Sequence, residues 1–318
     1  MPRLPRRRLS AAWAVLGALL GAAGCQELDL FGEPVELEPQ PSEEVVPPAW
    51  PTDQVPRFRF GTVPVIGVEE TRQVYQPLVD HLAGRLGVPG ELVVTADYAE
   101  LVSLLSRAEL DAGLFTALSY VEAKESLPGL RLVLKQVVSG AGSYLGYVYT
   151  TDESRAEGLA DLAGKSMCYI DLQSTSGYLY PRALLRQKGF DPDHFFGRVE
   201  FGGNHLTCLE RVLAGQVDAS AAYAGAFAFG RSRGLPIDRI RIVGKTQRIP
   251  YNALAVRPGL PREVELRLRH ELVGLSTQSA AGQRVFSHEA RLNAWVPALE
   301  TEYAEVREVL ARERSQGN

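Results

Sequence analysis

Cysteine, methionine and tryptophan are scarce in this 318-residue chain, which holds three, two and three of them. So few thiols exclude a disulfide-stapled scaffold. Positive charge is not in excess either, since 34 Lys and Arg stand against 38 Asp and Glu, a formal net charge of −4. With no Lys/Arg run in the body of the chain, the basic footprint that a phosphodiester backbone requires is missing, and nucleic acid is excluded as a partner. No apolar run reaches the roughly 20 residues of a membrane-spanning helix. His81, His194, His205, His270 and His288 lack zinc-binding spacing, and neither a Gly-x-Ser-x-Gly elbow nor a Walker loop is present. No metal, cofactor or enzymatic role is therefore expected. The remaining composition, 45% hydrophobic and 23% charged, is globular and long enough for one large domain or two lobes.

The first 24 residues read as an export signal. Arg3, Arg6, Arg7 and Arg8 form a basic start, Ala11–Ala23 is an apolar stretch, and Gly21-Ala22-Ala23-Gly24 leads into Cys25. Small residues ending in Cys are similar to a bacterial lipobox, although Ala22 stands where its usual Leu would be. Cys25 is thus expected to become a lipidated N-terminus; ordinary cleavage nearby with a spare thiol is the alternative. Arg7-Arg8-Leu9-Ser10 also faintly resembles a twin-arginine signal. Removing residues 1–24 takes four Arg and no acid, leaving 30 basic against 38 acidic residues, so membrane attachment would rest on lipid and not on charge. Residues 25–56, rich in Pro and acids without a sustained period, read as a disordered tether.

From Arg57 onwards the patterns alternate. Strands are expected at 57–63, 91–96, 111–115 and 130–138, with helices at 71–86, 98–107 and 117–125, the cadence of a mostly parallel sheet flanked by helices. A second set has strands at 144–150, 166–170, 198–201, 217–222 and 239–243, a short helix at 159–163, one starting at Ser176 and one at 205–214. A strand at 253–257 is then followed only by helices, near 262–275, 279–287 and 298–314. The charged run 262–271 reads as a solvated helix face with i,i+4 pairs.

Ligands in such folds sit at the carboxyl ends of strands, in crevices between units. Asp171-Leu172-Gln173-Ser174-Thr175-Ser176-Gly177 follows an apolar strand and opens a helix carrying Leu179, Ala183 and Leu184. Three hydroxyls and a glycine occupy a first turn, where unsatisfied backbone N–H groups and the positive dipole end converge. This is either an oxyanion cradle of neutral donors or an ordinary Ser N-cap, which needs one hydroxyl and not three.

The stretch from Gly158-Leu159-Ala160-Asp161-Leu162 through Ser174-Thr175-Ser176-Gly177-Tyr178 to Gly189-Phe190-Asp191-Pro192 looks like the phosphate/phosphite/phosphonate-binding proteins of bacterial ABC importers. Collinear matches add Asp97-Tyr98, Asp111-Ala112-Gly113-Leu114-Phe115, Gly202-Gly203-Asn204-His205 and Gly215-Gln216-Val217-Asp218-Ala219. The resemblance implies an α/β, two-lobed class II periplasmic binding protein fold with two interlobe crossovers, near 140–150 and 245–255. Lobe one would comprise 57–145 and 249–318, and lobe two 146–248. It further implies that Ser174, Thr175, Ser176 and Gly177 bind the oxyanion, with His205 donating from across the cleft. Tyr98 and Tyr144 would close the site, Tyr147 being an alternative to Tyr144. Thr116, where the family usually shows Gly-Pro, adds a hydroxyl or merely caps the next helix. Asn252 only partly imitates a carboxylate that reads a phosphate proton. The regions expected to hold a ligand amine read Tyr223-Ala224-Gly225 and Pro250-Tyr251-Asn252, without an acid, which favours phosphate, phosphite or methylphosphonate over an aminoalkylphosphonate.

The implied protein is a periplasmic, membrane-anchored monomeric lipoprotein serving an ABC permease and ATPase; a sensor or scaffold of the same fold signalling to a membrane partner is the alternative. Cys168, in an apolar strand, and Cys208, in a first helical turn, read as buried thiols, though export permits a disulfide.

Overall fold

The computed structural model describes residues 47–286 and 291–316; the export signal, Cys25 and the first part of the expected tether lie outside them. The chain runs first through β1 (Phe58–Thr62), α1 (Val68–Leu86), β2 (Gly90–Val94), α2 (Tyr98–Ser106), β3 (Ala112–Phe115), α3 (Ala117–Ser126) and β4 (Arg131–Val138). The expected signals build these elements. Val74, Leu78, Leu82 and Leu86 bury one face of α1. Asp97 and Thr116 cap α2 and α3 by accepting from the Glu100 and Ser119 N–H groups.

At 139–142 the chain leaves this sheet for β5 (Ser143–Thr151), β6 (Ser166–Tyr169), α4 (Tyr180–Gln187), β7 (Arg198–Phe201), α5 (His205–Leu213), β8 (Ala219–Tyr223), α6 (Ala224–Ser232) and β9 (Ile240–Pro250). At 251–252 it returns, into β10 (Ala253–Val256), α7 (Arg262–Val273), α8 (Ala280–Val285), β11 (Leu292–Pro297) and α9 (Ala304–Gln316). Six strands in the order β11-β4-β10-β3-β1-β2 form one sheet, and five in the order β7-β6-β8-β5-β9 form the other. Each sheet is the centre of a lobe, and the chain passes between them twice.

Several expectations need correction. The sheets are mixed and not mostly parallel: β1 pairs in parallel with β2 and β3, but the returning β10 enters antiparallel between β3 and β4, pairing Ala253 with Phe115 and Leu254 with Leu134. A strand arriving from another lobe takes its direction from that lobe, which local alternation does not carry. Helices alone do not follow β10, because β11 adds an antiparallel edge to β4; its six residues end in Pro297, which an edge position tolerates. Helix α6 also escaped the pattern, since Ala224-Gly-Ala-Phe-Ala-Phe-Gly has no polar face to set a period. The charged run on α7 is only half solvated: Glu265 and Glu271 are buried, each 2.7 Å from a lobe-one arginine, Arg131 and Arg85 respectively.

Cys168 of β6 and Cys208 of α5 are joined in a disulfide, contrary to the reading as free thiols. Strand and helix lie side by side with the two Cα atoms 5.8 Å apart, a bridging distance. Sequence spacing says nothing of that adjacency.

Trp50, expected in the tether, is instead part of the fold. Its indole Nε1 donates to the Val55 carbonyl at 2.7 Å, and its ring meets Phe58 edge-on at 6.0 Å, placing residues 50–55 over the start of β1. A tryptophan with a partner for its N–H and an aromatic neighbour buries enough apolar surface to order a proline-rich segment. Trp50→Ala is expected to destabilise lobe one by about 3 kcal/mol, the lower end for a buried Trp→Ala change. Denaturant unfolding measures this, and an unchanged midpoint would return residues 50–55 to the tether.

Candidate functional site

Strand β6 ends at Tyr169, and the loop that follows delivers the hydroxyl trio. Ser174 is the N-cap of a single π-helical turn, Thr175–Leu179, that runs on into α4. Such turns replace the i→i−4 ladder and recur at functional sites. Gly177 is required there because a Cβ would overlap Ile170 at the end of β6. The three hydroxyls are all buried, and they point to different partners. Ser174 Oγ accepts from Gly177 N at 3.0 Å. Thr175 Oγ1 accepts from Leu118 N, at the start of α3 in the other lobe, at 2.8 Å. Ser176 stands beside the Tyr144 hydroxyl.

Between the lobes lies a cavity of about 110 Å³, which Ser174 and Ser176 line and which Thr175 and Gly177 do not. That is several times the roughly 10–15 Å³ that houses one water. Tyr98, Thr116, Tyr144, His205 and Asn252 also line it, so seven of the nine residues singled out from the sequence meet in one place. Tyr144 lies in the interlobe aromatic cluster, 4.7 Å from the Tyr251 ring and 5.8 Å from that of Tyr223. Tyr147 packs on Phe227 in the lobe-two core and does not reach the cavity. Burial pushes the Tyr98 and Tyr144 hydroxyls well above their ordinary titration range, so both keep their protons; Thr116 bonds the Tyr98 hydroxyl and offsets part of that effect.

His205 is the first residue of α5, behind the N-cap Asn204, whose side chain accepts from Thr207 N at 2.9 Å. It belongs to the same lobe as the trio and stands beside it, not across the cleft. The ring is 4% exposed and lies edge-on to Tyr223 at 5.1 Å. Burial lowers its pKa to about 3, an effect that a hydrogen bond to the Ala221 backbone only partly opposes. The imidazole is therefore neutral at neutral pH. Its backbone N–H reaches Val65 O of lobe one at 3.0 Å, and Thr116 Oγ1 reaches Gln173 O at 3.1 Å, so the lobes touch on both sides of the cavity.

Tyr75, Gln136, Asp97 and Asp171 also line the cavity, although none was expected from the sequence to hold the ligand. Gln136 interrupts the apolar strand β4 and donates to the Tyr75 hydroxyl at 3.0 Å; a lone amide in such a strand was the available signal. Asp97 and Asp171 bring carboxylates to the lining, the first exposed and capping α2, the second accepting from Gln173 N at 2.8 Å. Among the described residues, no Lys or Arg side chain lines the cavity.

A family model described as the periplasmic substrate-binding protein of phosphonate ABC transporters matches residues 60–303. The chain belongs to this family. Its members are the extracytoplasmic binding component of an importer, not enzymes. Among curated relatives, the phosphate-import protein PhnD of Mycolicibacterium smegmatis is 30% identical over 174 residues, 52% of this chain and 54% of that one. The match thus spans about half of the relative's length. The fold of this phosphonate-binding family member is shared with two solved structures. A binding-protein component of an ABC phosphonate transporter from Pseudomonas aeruginosa has a TM-score of 0.74 at 18% identity, covering 81% of this chain and 86% of that one. PhnD1 from Prochlorococcus marinus, solved with methylphosphonate, has a TM-score of 0.73 at 16% identity, covering 81% and 98%. These likenesses establish the two-lobed binding-protein architecture with its two crossovers.

The neutral histidine has a consequence for stability. The unfolded ring takes a proton near pH 6.5, whereas the folded ring resists one down to about pH 3. Its contribution is therefore complete above pH 6.5 and is lost as pH falls below it. The stability difference between the parent chain and His205→Gln should shrink by about 2 kcal/mol between pH 7 and pH 5, at roughly 1.4 kcal/mol per unit below pH 6.5. Urea melts at the two pH values read this, and a constant difference would mean that the folded ring titrates like an exposed one.

Proposed function

We propose that the cleft captures a small phosphorus oxyanion, phosphate, phosphite or an alkylphosphonate, and delivers it to an ABC permease and ATPase. The observation that carries the reading is the convergence of Ser174, Ser176 and a neutral His205 on an interlobe cavity whose described lining holds no cationic side chain. An anion leaving water loses its hydration, and several hydrogen bonds from fixed dipoles at a helix start offset that loss. Tyr98, Tyr144, Thr116 and Asn252 would complete the enclosure from lobe one and the crossovers. Thr175 and Gly177 would serve indirectly, one by joining the lobes and the other by letting the turn close on Ile170.

A neutral imidazole offers one donor and one acceptor. With its donor turned to the Ala221 backbone, His205 presents an acceptor, which suits an oxyanion that still carries a proton. Sulfonates carry none at neutral pH. The ligand's substituent is uncharged, because Tyr223, Gly225, Tyr251 and Asn252 supply no acid and both lining carboxylates already accept backbone N–H groups. The protein is a monomer held at the membrane through lipid on Cys25, and ligand binding favours the closed lobes through contacts made on both sides.

A thermal-shift and calorimetric series tests this. Phosphate, phosphite or methylphosphonate at about 100 times its Kd should stabilise the chain by about 2.7 kcal/mol. Methanesulfonate should bind at least tenfold more weakly, and Ser176→Ala should weaken binding by about tenfold. Binding of none of the three phosphorus anions sinks the assignment; tighter binding of 2-aminoethylphosphonate reassigns the substituent pocket to Asp97 and Asp171.

A further inference from the structure

The Cys168–Cys208 disulfide does more than close a loop. Cys168 lies in β6, the strand that delivers the Ser174–Ser176 turn, and Cys208 lies one helical turn beyond His205 on the same face of α5. The bridge thus joins the two elements that carry the polar wall of the cavity. Between them runs the turn Gly202-Gly203-Asn204, which hands the chain to His205. Gly202 N donates to Tyr169 O and Gly203 N to Ile170 O, both at 2.9 Å, so this turn is zipped to the end of β6. Gly202 lies against both sulfurs, and a Cβ there would overlap Cys208 Sγ. Both cysteines are fully buried, beneath the site and outside its lining.

We propose that this disulfide is a positioning brace for the anion site, fixing His205 relative to Ser174 and Ser176 so that ligand affinity depends on the bridge. The brace rests on the binding function proposed above. Helix α5 has nine residues, and its first turn is the part that must hold an imidazole against a ligand to within a fraction of an ångström. Hydrogen bonds alone tether that turn to β6 from the Gly202 side. The bridge adds a covalent tether on the inner side, one helical turn from the ring. A disulfide that acts only by restricting the unfolded chain would change stability and leave affinity untouched.

The test compares the parent chain with Cys168→Ala/Cys208→Ala and with Leu162→Ala, a buried lobe-two change in the separate cluster around Leu159 and Phe196. Calorimetry with inorganic phosphate and with methylphosphonate gives Kd, thermal melts give stability, and hydrogen exchange reports the Leu206 and Thr207 amides. The double variant should melt cooperatively, bind about tenfold more weakly and exchange those amides faster. Leu162→Ala should lower the melting temperature and keep the parent Kd. An unchanged Kd in the folded double variant, or an equal rise in Leu162→Ala, overturns the brace. If the double alanine variant fails to fold, Cys168→Val/Cys208→Ala, which refills the space, takes its place under the same criteria. A parent chain that binds neither probe removes the functional reading and the brace together, whereas parent binding with an indifferent variant removes the brace alone.

Discussion

A buried hydroxyl has to find a partner, and the three in succession at 174–176 find theirs in three directions. Ser174 closes its own helical turn, Thr175 reaches a backbone N–H of the opposite lobe, and Ser176 meets Tyr144 on the strand that leads out of the first crossover. One short segment thereby joins the local fold, the contact between lobes and the cavity wall. Removing any of the three leaves a different group unsatisfied, so the segment cannot be divided into a structural part and a functional part.

The hydrogen bonds that join the lobes around the cavity are individually modest, and ion pairs from Arg182 and Arg186 to Glu313 and from Arg233 to Glu70 join the lobes elsewhere. His205 N to Val65 O, Leu118 N to Thr175 Oγ1, Thr116 Oγ1 to Gln173 O and Gln173 Nε2 to Glu122 Oε2 are ordinary hydrogen bonds of 2.8–3.1 Å. Each contributes roughly 0.5–1.5 kcal/mol net. Around the cavity these bonds together amount to a few kcal/mol, which is also the scale of the contacts a small anion makes. A ligand that bridges the walls therefore has enough differential affinity to decide between open and closed populations. The neutrality of the site serves the same end. A fixed cation in the lobe-two wall of the cavity would already attract Asp97 without ligand, whereas uncharged dipoles wait for the anion.

Much of this was legible in the sequence because it is local. The alternation in 57–63, the apolar spacing from Val74 to Leu86, the cap Thr116, and the hydroxyl-rich start after β6 all act over fewer than four helical turns. The unread parts are contacts between distant segments. β10 gets its direction from the second lobe, Trp50 its order from Phe58, and Cys208 its partner from the packing of α5 on β6. The expectation that His205 donates from across the cleft does not hold, and the expected bounds of lobe two, 146–248, already include both it and the trio.

The one misreading that local reasoning had the means to avoid concerns the trio itself. In an α-helix successive side chains are rotated by about 100°, and the wider π turn changes this only modestly. Three consecutive residues therefore fan across more than half a turn, and they cannot all face one small ligand. Positions 174 and 176 can converge only if the chain bends between cap and turn, which is what the N-cap bond to Gly177 and the absence of a Cβ at that residue produce. The residue between them must then face outward, and a threonine in that place is useful only if something outside the site offers an N–H. Leu118, at the start of a helix on the other lobe, has one to give. The spacing that made the motif look like a cradle for a single anion is, read geometrically, a motif with two faces, one toward the cavity and one toward the opposite lobe.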